Sequence, residues 1–317
     1  MNVLSLFDGI SCGMVALERA GINVDRYVAF ENDKFPVRIS KKNYPHIEHH
    51  GDVFEGDYTQ YADFDLLIGG SPCTYWSIAK TDREITSEGM GFQLFKQYVR
   101  ALEEAKPKHF LYENNFGMHK DIQSEITRML GVEPIMINSA LVSAQNRKRL
   151  YWTNIPNVLQ PEDKGIYLKD ITLDDRYTLG AAMRGRYDEY GKIRQQIELR
   201  KDSKSNALTT VAKDTLLVDR CYQVGVTREI KGFDVIKRVY STEGKAPTLT
   251  TMQGGHREPK IAVDGTQWRK LTVLECERLQ TLSDNYTEGV SKTQRHKAIG
   301  NGWTVDVIAH IFKNIAH

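Results

Sequence analysis

The chain has 317 residues, 40% of them hydrophobic and 26% charged, and a formal net charge of +2. That length exceeds what one hydrophobic core usually supports, so two domains or one domain with a large insertion are expected, and the near-neutral charge neither demands nor excludes a nucleic-acid partner. No apolar run approaches the roughly 18 residues of a membrane span, and the four cysteines, Cys12, Cys73, Cys221 and Cys276, form no CxxC pair and no Cys/His cluster, which argues against zinc or a disulfide framework and for a reducing cytosol.

The first part alternates strand and helix. MNVLSLFDGISCGMVALERAG lacks a basic start and carries Asp8 early, so it is read as strand, glycine turn and helix rather than as a signal peptide. VDRYVAFEND is a second strand, FPVRISKKNYP a helix with Pro36 in its first turn, HIEHHGDV a third strand and FDLLIGG an apolar fourth. FQLFKQYVRALEEAKP is an amphipathic helix, KHFLYENN a strand, DIQSEITRMLG a helix, and EPIMINSALV and RLYWTNI further strands. Such alternation implies a doubly wound parallel sheet, whose ligands sit off the carboxyl ends of the strands. Asp8, Glu31, Asp52, Cys73 and Glu113 all fall at such ends.

The character changes after about Ile155. Residues 156–267 form short strand-like pieces and turns, with a degenerate repeat, SNALTTVAKD and APTLTTMQGG, expected to be paired hairpin elements of a small β-rich domain. From Lys270 helix returns in TVLECERLQTL, and RHKAIGNGWTVDVIAHIFKNI is expected to be a glycine turn followed by a closing helix.

The strand ends carry the chemistry. FDGISCG is not a GxGxxG fingerprint, and no P-loop is present. Even so, a glycine-bearing turn, Glu31 suited to two ribose hydroxyls and Asp52 suited to an adenine amino group together point to an adenosine-containing ligand. A lone cysteine is usually a small core residue. Cys73, however, follows Pro72 at a strand end, and Glu113 ends the neighbouring strand, so a thiolate and a carboxylic acid meet beside that ligand. Arg147 and Arg149 stand at alternate positions, hence on one strand face, and could hold a base carbonyl or phosphates.

In order, the chain carries SLFDGISCG, FEND, GDV, GGSPCTYWS, YENN, QNRKRLYW, RKLTVLECERLQTLSDNY and HKAIGNGWTV. This series resembles the DNA (cytosine-5)-methyltransferases of bacterial and phage type over about 1–155 and 268–317, with 156–267 in the place of the variable target-recognition region. The resemblance implies an α/β fold with a doubly wound mixed sheet, Rossmann-like, of the S-adenosylmethionine-dependent methyltransferases. Its catalytic domain would span 1–155, a smaller β-rich target-recognition domain 156–267, and the chain would return to the catalytic domain over 268–317.

It further implies sequence-specific methylation of C5 of a flipped-out cytosine through a covalent Cys73 adduct. Glu113 would protonate N3, and Arg147 and Arg149 would support the cytosine O2, Glu113 and the DNA backbone. Phe7, Asp8, Gly9, Ile10, Glu31, Asn32, Asp52, Val53, Gly70, Pro72, Asn301 and Trp303 would form the S-adenosylmethionine site. Asn301 would also brace the loop between the domains. No metal is implied. The partners implied are double-stranded DNA and, in a restriction–modification setting, a cognate restriction endonuclease, for a cytoplasmic monomer protecting phage or host DNA.

The chain departs from the family at Ser11 and Cys12, where many members carry glycine, at Thr74 in place of glutamine, and at GNGW in place of Gly-Asn-Ser-Val, so that Trp303 alters the wall of the cofactor pocket. Ser77 and Gln145 are expected to face DNA. In the insertion, Arg184, Arg186, Lys192, Arg194, Arg200, Lys201 and Lys204 suit phosphates, and Gln253, His256 and Arg257 suit base edges. A tRNA cytosine methyltransferase with the same catalytic set, and a non-enzymatic DNA-binding relative, are the competing readings. The basic insertion favours duplex DNA over the first, and the intact Cys73, Glu113, Arg147 and Asn301 disfavour the second.

Overall fold

A computed structural model describes residues 1–72, 75–76, 83–173, 181–187, 193–199, 223–227, 230, 234–249, 251, 258–262 and 268–315. Its main sheet is built from β1 (Asn2–Leu6), β2 (Arg26–Phe30), β3 (Glu48–His50), β4 (Leu66–Gly69), β5 (His109–Asn115), β6 (Ile135–Asn138) and β7 (Lys148–Thr153), in the spatial order β3-β2-β1-β4-β5-β7-β6. The apolar runs of β1 and β4 are buried, as expected of central parallel strands covered on both faces. Val3 and Ser5 alternate with Leu4 and Leu6, so β1 feeds cores on both sides.

One core packs β1 and β2 against α1 (Cys12–Arg19), α2 (Lys34–Asn43) and α7 (Val305–Phe312). The opposite core packs Leu4, Leu6, Val28 and Leu67 against α3 (Met90–Ala105) and α4 (Lys120–Leu130). The helix starts are fixed locally: the Asp33 side chain accepts from the Phe35 N–H at the head of α2, with Pro36 in the first turn where no donor is needed.

The sheet is mixed because β7 runs antiparallel to both β5 and β6. Only residues 139–147 join β6 to β7, too few for the crossover of a dozen or more residues that a parallel neighbour requires. The reversal has a functional consequence. It brings the start of β7 to the carboxyl edge of the sheet, where Arg149 pairs in register with Asn115 at the end of β5.

The smaller β part contains a hairpin of β8 (Ala181–Tyr187) and β9 (Ile193–Leu199). A four-stranded sheet follows, ordered β10 (Gln223–Val226), β11 (Arg238–Tyr240), β12 (Lys260–Ala262) and β13 (Trp268–Lys270). Of the repeated segments, the first lies outside the described residues. The described part of the second is not a hairpin arm: Ala246 bridges Gln145 in parallel, and Leu249 joins an apolar cluster with Ala144, Cys276 and Ile299. It is an extended strap against the connection that leads into β7. The C-terminal stretch also differs from the expectation. RHKAIGN is itself helical, in α6 (Lys292–Asn301), capped by the Ser291 hydroxyl, while α5 (Val273–Leu279) opens with a Thr272/Glu275 capping box. The turn comes at Gly302, before α7.

Candidate active site

The turn after β1 is conformationally unusual: Phe7, Gly9 and Ser11 have φ of 58°, 61° and 59°. Left-handed backbone at Phe7 and Ser11 is costly for residues with a Cβ, so something must hold it. Asp8 does so from below. Its Oδ1 accepts from the Ser5 hydroxyl at 2.6 Å and the Tyr27 hydroxyl at 2.7 Å, and its Oδ2 from the Ser11 hydroxyl. The Asp8 carboxylate is therefore committed to the fold, and the turn backbone is the part left to meet a ligand.

Glu31, one residue past β2, is the next element of the same edge. Its Oε2 accepts from the Gly9 N–H at 3.0 Å and its Oε1 from the Asp33 N–H at 2.8 Å. Burial pushes this carboxyl upward, while the N–H groups of Asp33 and Gly9 pull it back. Each oxygen keeps a lone pair for a hydroxyl. Past β3, Asp52 uses Oδ1 for the Phe54 N–H at 3.0 Å and has Oδ2 left as an acceptor. Val53 beside it is buried and Asn32 is exposed. Two acceptor carboxylates at adjacent strand ends, beside a strained turn, fit the hydroxyls and amino group of an adenosine.

Glu113 lies near the end of β5 and is 8% exposed. Arg149 Nε forms an ion pair with its Oε1 at 2.9 Å, and the Trp303 indole N–H donates to its Oε2 at 3.0 Å. Space for the carboxylate depends on Gly70, because a Cβ there would lie 2.8 Å from the Glu113 carbonyl oxygen and 3.1 Å from Oε2. The segment leaving β4 is pinned as well. The Ser71 and Tyr112 hydroxyls are 2.7 Å apart, and Asn114 Nδ2 donates to the Ser71 carbonyl at 3.2 Å. Beyond Pro72, Cys73 lies outside the described residues, as does Ser77. The chain is anchored again at Tyr75, whose carbonyl accepts from the Glu84 N–H at 2.8 Å, and at the buried Trp76.

Three expected site residues are placed differently from the expectation. Arg147 is 3% exposed and directs its guanidinium inward, donating to the carbonyls of Leu249 at 3.1 Å, Gly300 at 3.3 Å and Gly302 at 3.2 Å. It precedes β7 rather than sharing a strand face with Arg149. Gln145, expected to face DNA, is fully buried beneath the strap at Ala246. Asn301 is exposed at the end of α6, and the bracing expected of it runs through the carbonyls on either side, Gly300 and Gly302. Lys245, which the sequence did not single out, is 2% exposed and donates to the carbonyls of Ala140 at 2.8 Å and Ser143 at 3.2 Å. A lysine inside a mixed insertion gives no sign of such a partner.

Of the expected DNA contacts, Arg184 and Arg186 lie on β8 opposite Gln196 and Arg194 of β9. Lys192, Arg200, Lys201, Lys204, Gln253, His256 and Arg257 lie outside the described residues. Among the described residues, no helix is long and apolar enough to cross a membrane and no His/Cys/Asp/Glu group is arranged to hold a metal ion.

A profile of the C-5 cytosine-specific DNA methylases matches residues 1–317. The orphan methyltransferase M.SPBetaI of Bacillus phage SPbeta is 24% identical, the alignment covering 100% of this chain and 98% of that one. Among solved structures, an Escherichia coli prophage protein described as a candidate DNA modification methyltransferase superposes with a TM-score of 0.66 at 20% identity, over 100% of this chain and 98% of the other. The S. pombe Dnmt2 methyltransferase superposes with a TM-score of 0.62 at 14% identity, over 99% and 97%. These two likenesses show the shared α/β fold. The family match spans the whole chain and includes the edge that holds Glu31, Glu113 and Arg149, and by it the chain belongs to the C-5 cytosine-specific DNA methylases.

Proposed function

We propose that this chain methylates C5 of cytosine at a specific sequence in duplex DNA, taking the methyl group from S-adenosylmethionine, with Cys73 as nucleophile and Glu113 as acid. The observation that carries the reading is the Glu113 carboxylate, buried at the carboxyl edge of the sheet between Arg149 and Trp303 and one strand from the Gly-Ser-Pro-Cys exit.

When bound, S-adenosylmethionine supplies an electrophilic methyl group on a sulfonium and departs as the thioether. The backbone of Phe7–Ile10, Glu31 and Asp52 would hold its adenosine, with Asn32, Val53, Gly70, Pro72, Asn301 and Trp303 around it. The cytosine must leave the helix, at a cost of a few kcal/mol. The Cys73 thiolate forms a bond to C6, the C5–C6 π pair moves into the C4–C5 bond, and the C4–N3 π pair moves onto N3, which takes the Glu113 proton, so that C5 becomes the nucleophilic carbon of an enamine. After C5 gains the methyl group, a solvent base takes the C5 proton, the C–H pair becomes the C5–C6 π bond, the Cys73–C6 bond breaks to return the thiolate, and N3 gives its proton back to Glu113. Arg149 holds the Glu113 carboxylate for both transfers. Arg147 acts from behind, through the turn at Gly302.

Arg184, Arg186, Gln253 and Arg257 of the residues 156–267 would meet phosphates and base edges, and Ser77 the duplex near the flipped base. The enzyme would act as a cytoplasmic monomer in phage or host DNA modification, beside a restriction endonuclease where one is present. Incubation with labelled S-adenosylmethionine and either duplex DNA or tRNA tests this. Label is expected in DNA, and absence of transfer to DNA, or transfer unchanged by Cys73→Ser, would sink the reading. Bisulfite sequencing of DNA from an expressing host then gives the site.

A further inference from the structure

We infer that Trp303 is a positioning residue for the catalytic acid, and that its indole N–H fixes the plane of the Glu113 carboxylate. The inference rests on the reading of Glu113 as the acid that protonates cytosine. A carboxylate held at one oxygen can still rotate about its last bond. Here Oε1 is ion-paired with Arg149 Nε at 2.9 Å, which attracts without fixing direction, and Oε2 accepts the directional hydrogen bond of Trp303 Nε1 at 3.0 Å. The two partners come from separate elements, one from the start of β7 and the other from the turn between α6 and α7. Rotation would forfeit the Trp303 hydrogen bond in a site only 8% exposed, where a charged acceptor is costly to leave unpaired.

The turn that carries Trp303 is itself fixed. The Gly302 carbonyl accepts from Arg147 Nη2 at 3.2 Å and from Gln280 Nε2 at 3.1 Å, and the Thr304 hydroxyl bonds Gln280 Oε1 at 2.8 Å. Both peptide neighbours of Trp303 are therefore tied to groups outside α6 and α7. Gly70 completes the arrangement: a Cβ there would sit 3.1 Å from Glu113 Oε2 and 3.5 Å from Trp303 Nε1, crowding the bond itself. An indole whose only task was to wall the cofactor pocket would not need its N–H aimed at the acid. Glu113 then has one free lone pair on each oxygen, and these are the directions left for cytosine N3 and its amino group.

The test separates the acid from the cofactor pocket. Exchange of tritium from C5 of cytosine in duplex DNA, measured without methyl donor, needs Cys73 and Glu113 but no cofactor. S-adenosylhomocysteine affinity reports the pocket alone. Two variants are compared with the wild type: Trp303→Phe, and the chain with β-(3-benzothienyl)alanine at position 303, which keeps the fused ring and its volume but replaces N–H by sulfur. The benzothienyl protein guards against a packing defect in the phenylalanine variant.

The expected result is a fall of about tenfold or more in C5 exchange and in kcat for both proteins, the size expected for one lost hydrogen bond to a charged group, with S-adenosylhomocysteine affinity within about twofold of wild type. Unchanged exchange in the benzothienyl protein overturns the inference, as does a loss confined to S-adenosylhomocysteine affinity. Failure of the underlying reading looks different, because the wild type itself would show no exchange, or exchange that survives Cys73→Ser.

Discussion

Two carboxylates mark the two working regions of one sheet edge, and they are held in opposite ways. Glu31 accepts from the backbone N–H groups of Gly9 and Asp33, in a cradle tied by Asp8 to Ser5, Ser11 and Tyr27. Every group in it comes from the first 33 residues of the chain. Glu113 is held by side chains, ion-paired with Arg149 across a reversed strand and accepting from Trp303 in a turn 190 residues later. The first region is stiff because the local backbone makes it so. The second is accurate only while β7, the strap at 246–249 and the closing helices are all docked. Substitutions should therefore separate the two, with the adenosine cradle failing through local strain and the acid failing through loss of long-range partners.

The largest effect is expected at Arg149. Arg149→Ala removes the cation from a pair whose side chains are 12% and 11% exposed. Single-turnover methyl transfer should fall on the order of a hundredfold or more, since the acid loses orientation and its charged partner, while S-adenosylhomocysteine affinity measured by calorimetry stays close to wild type. A matching loss of cofactor affinity would erase the distinction between the two regions.

Asp8→Ala is the reciprocal change. It removes the shared acceptor of the Ser5, Ser11 and Tyr27 hydroxyls, leaving Ser11 its bond to Ser40, and releases the left-handed turn, a loss of about 2 kcal/mol or more. A thermal midpoint several degrees lower and a marked loss of S-adenosylhomocysteine binding are expected, with C5 exchange in the absence of cofactor largely retained. If exchange fell as far as binding, the cradle and the acid would be one unit.

The smallest effect concerns Cys12, buried under the Gly302 turn. Burial pushes its thiol up to about 12, against a backbone hydrogen bond from Trp303. In the unfolded chain the thiol ionises near ~8.5. Below that pH both states hold the proton and Cys12 gives no pH dependence. Above it only the unfolded state loses the proton, so stability falls by about 1.4 kcal/mol per pH unit as the pH rises toward the folded value. Denaturant unfolding at pH 7.5 and 9.5 should show a decline about 1 kcal/mol smaller in Cys12→Ala than in wild type. Equal declines would place an ionisable or exposed thiol at this turn.

Much of this edge was legible in the sequence. Glu31 and Glu113 stand where apolar strand runs end and Asp52 just past a short polar strand, and a strand end in a doubly wound sheet is an address. What the sequence hid depends on direction and docking. Alternating Arg147 and Arg149 looked like one strand face, but the short 139–147 connection reverses β7 and starts it after Arg147, so one arginine meets Glu113 and the other braces Gly300 and Gly302. Gln145 looked like a DNA contact because nothing local announces the strap that buries it. Trp303 was visible as a departure from the family, but its bond to Glu113 is a tertiary fact with no local signature.

The central claim is that Cys73 and Glu113 act together on a flipped cytosine. Its most direct test is covalent trapping on duplex DNA in which every cytosine is 5-fluorocytosine, with S-adenosylmethionine present and complexes resolved under denaturing conditions. Fluorine cannot leave C5 as a proton does, so the wild type should remain bonded to the DNA, Cys73→Ser should give no adduct, and Glu113→Gln should form it far more slowly. A wild type that methylates ordinary DNA yet leaves no adduct, or an adduct undiminished in Cys73→Ser, would contradict the account.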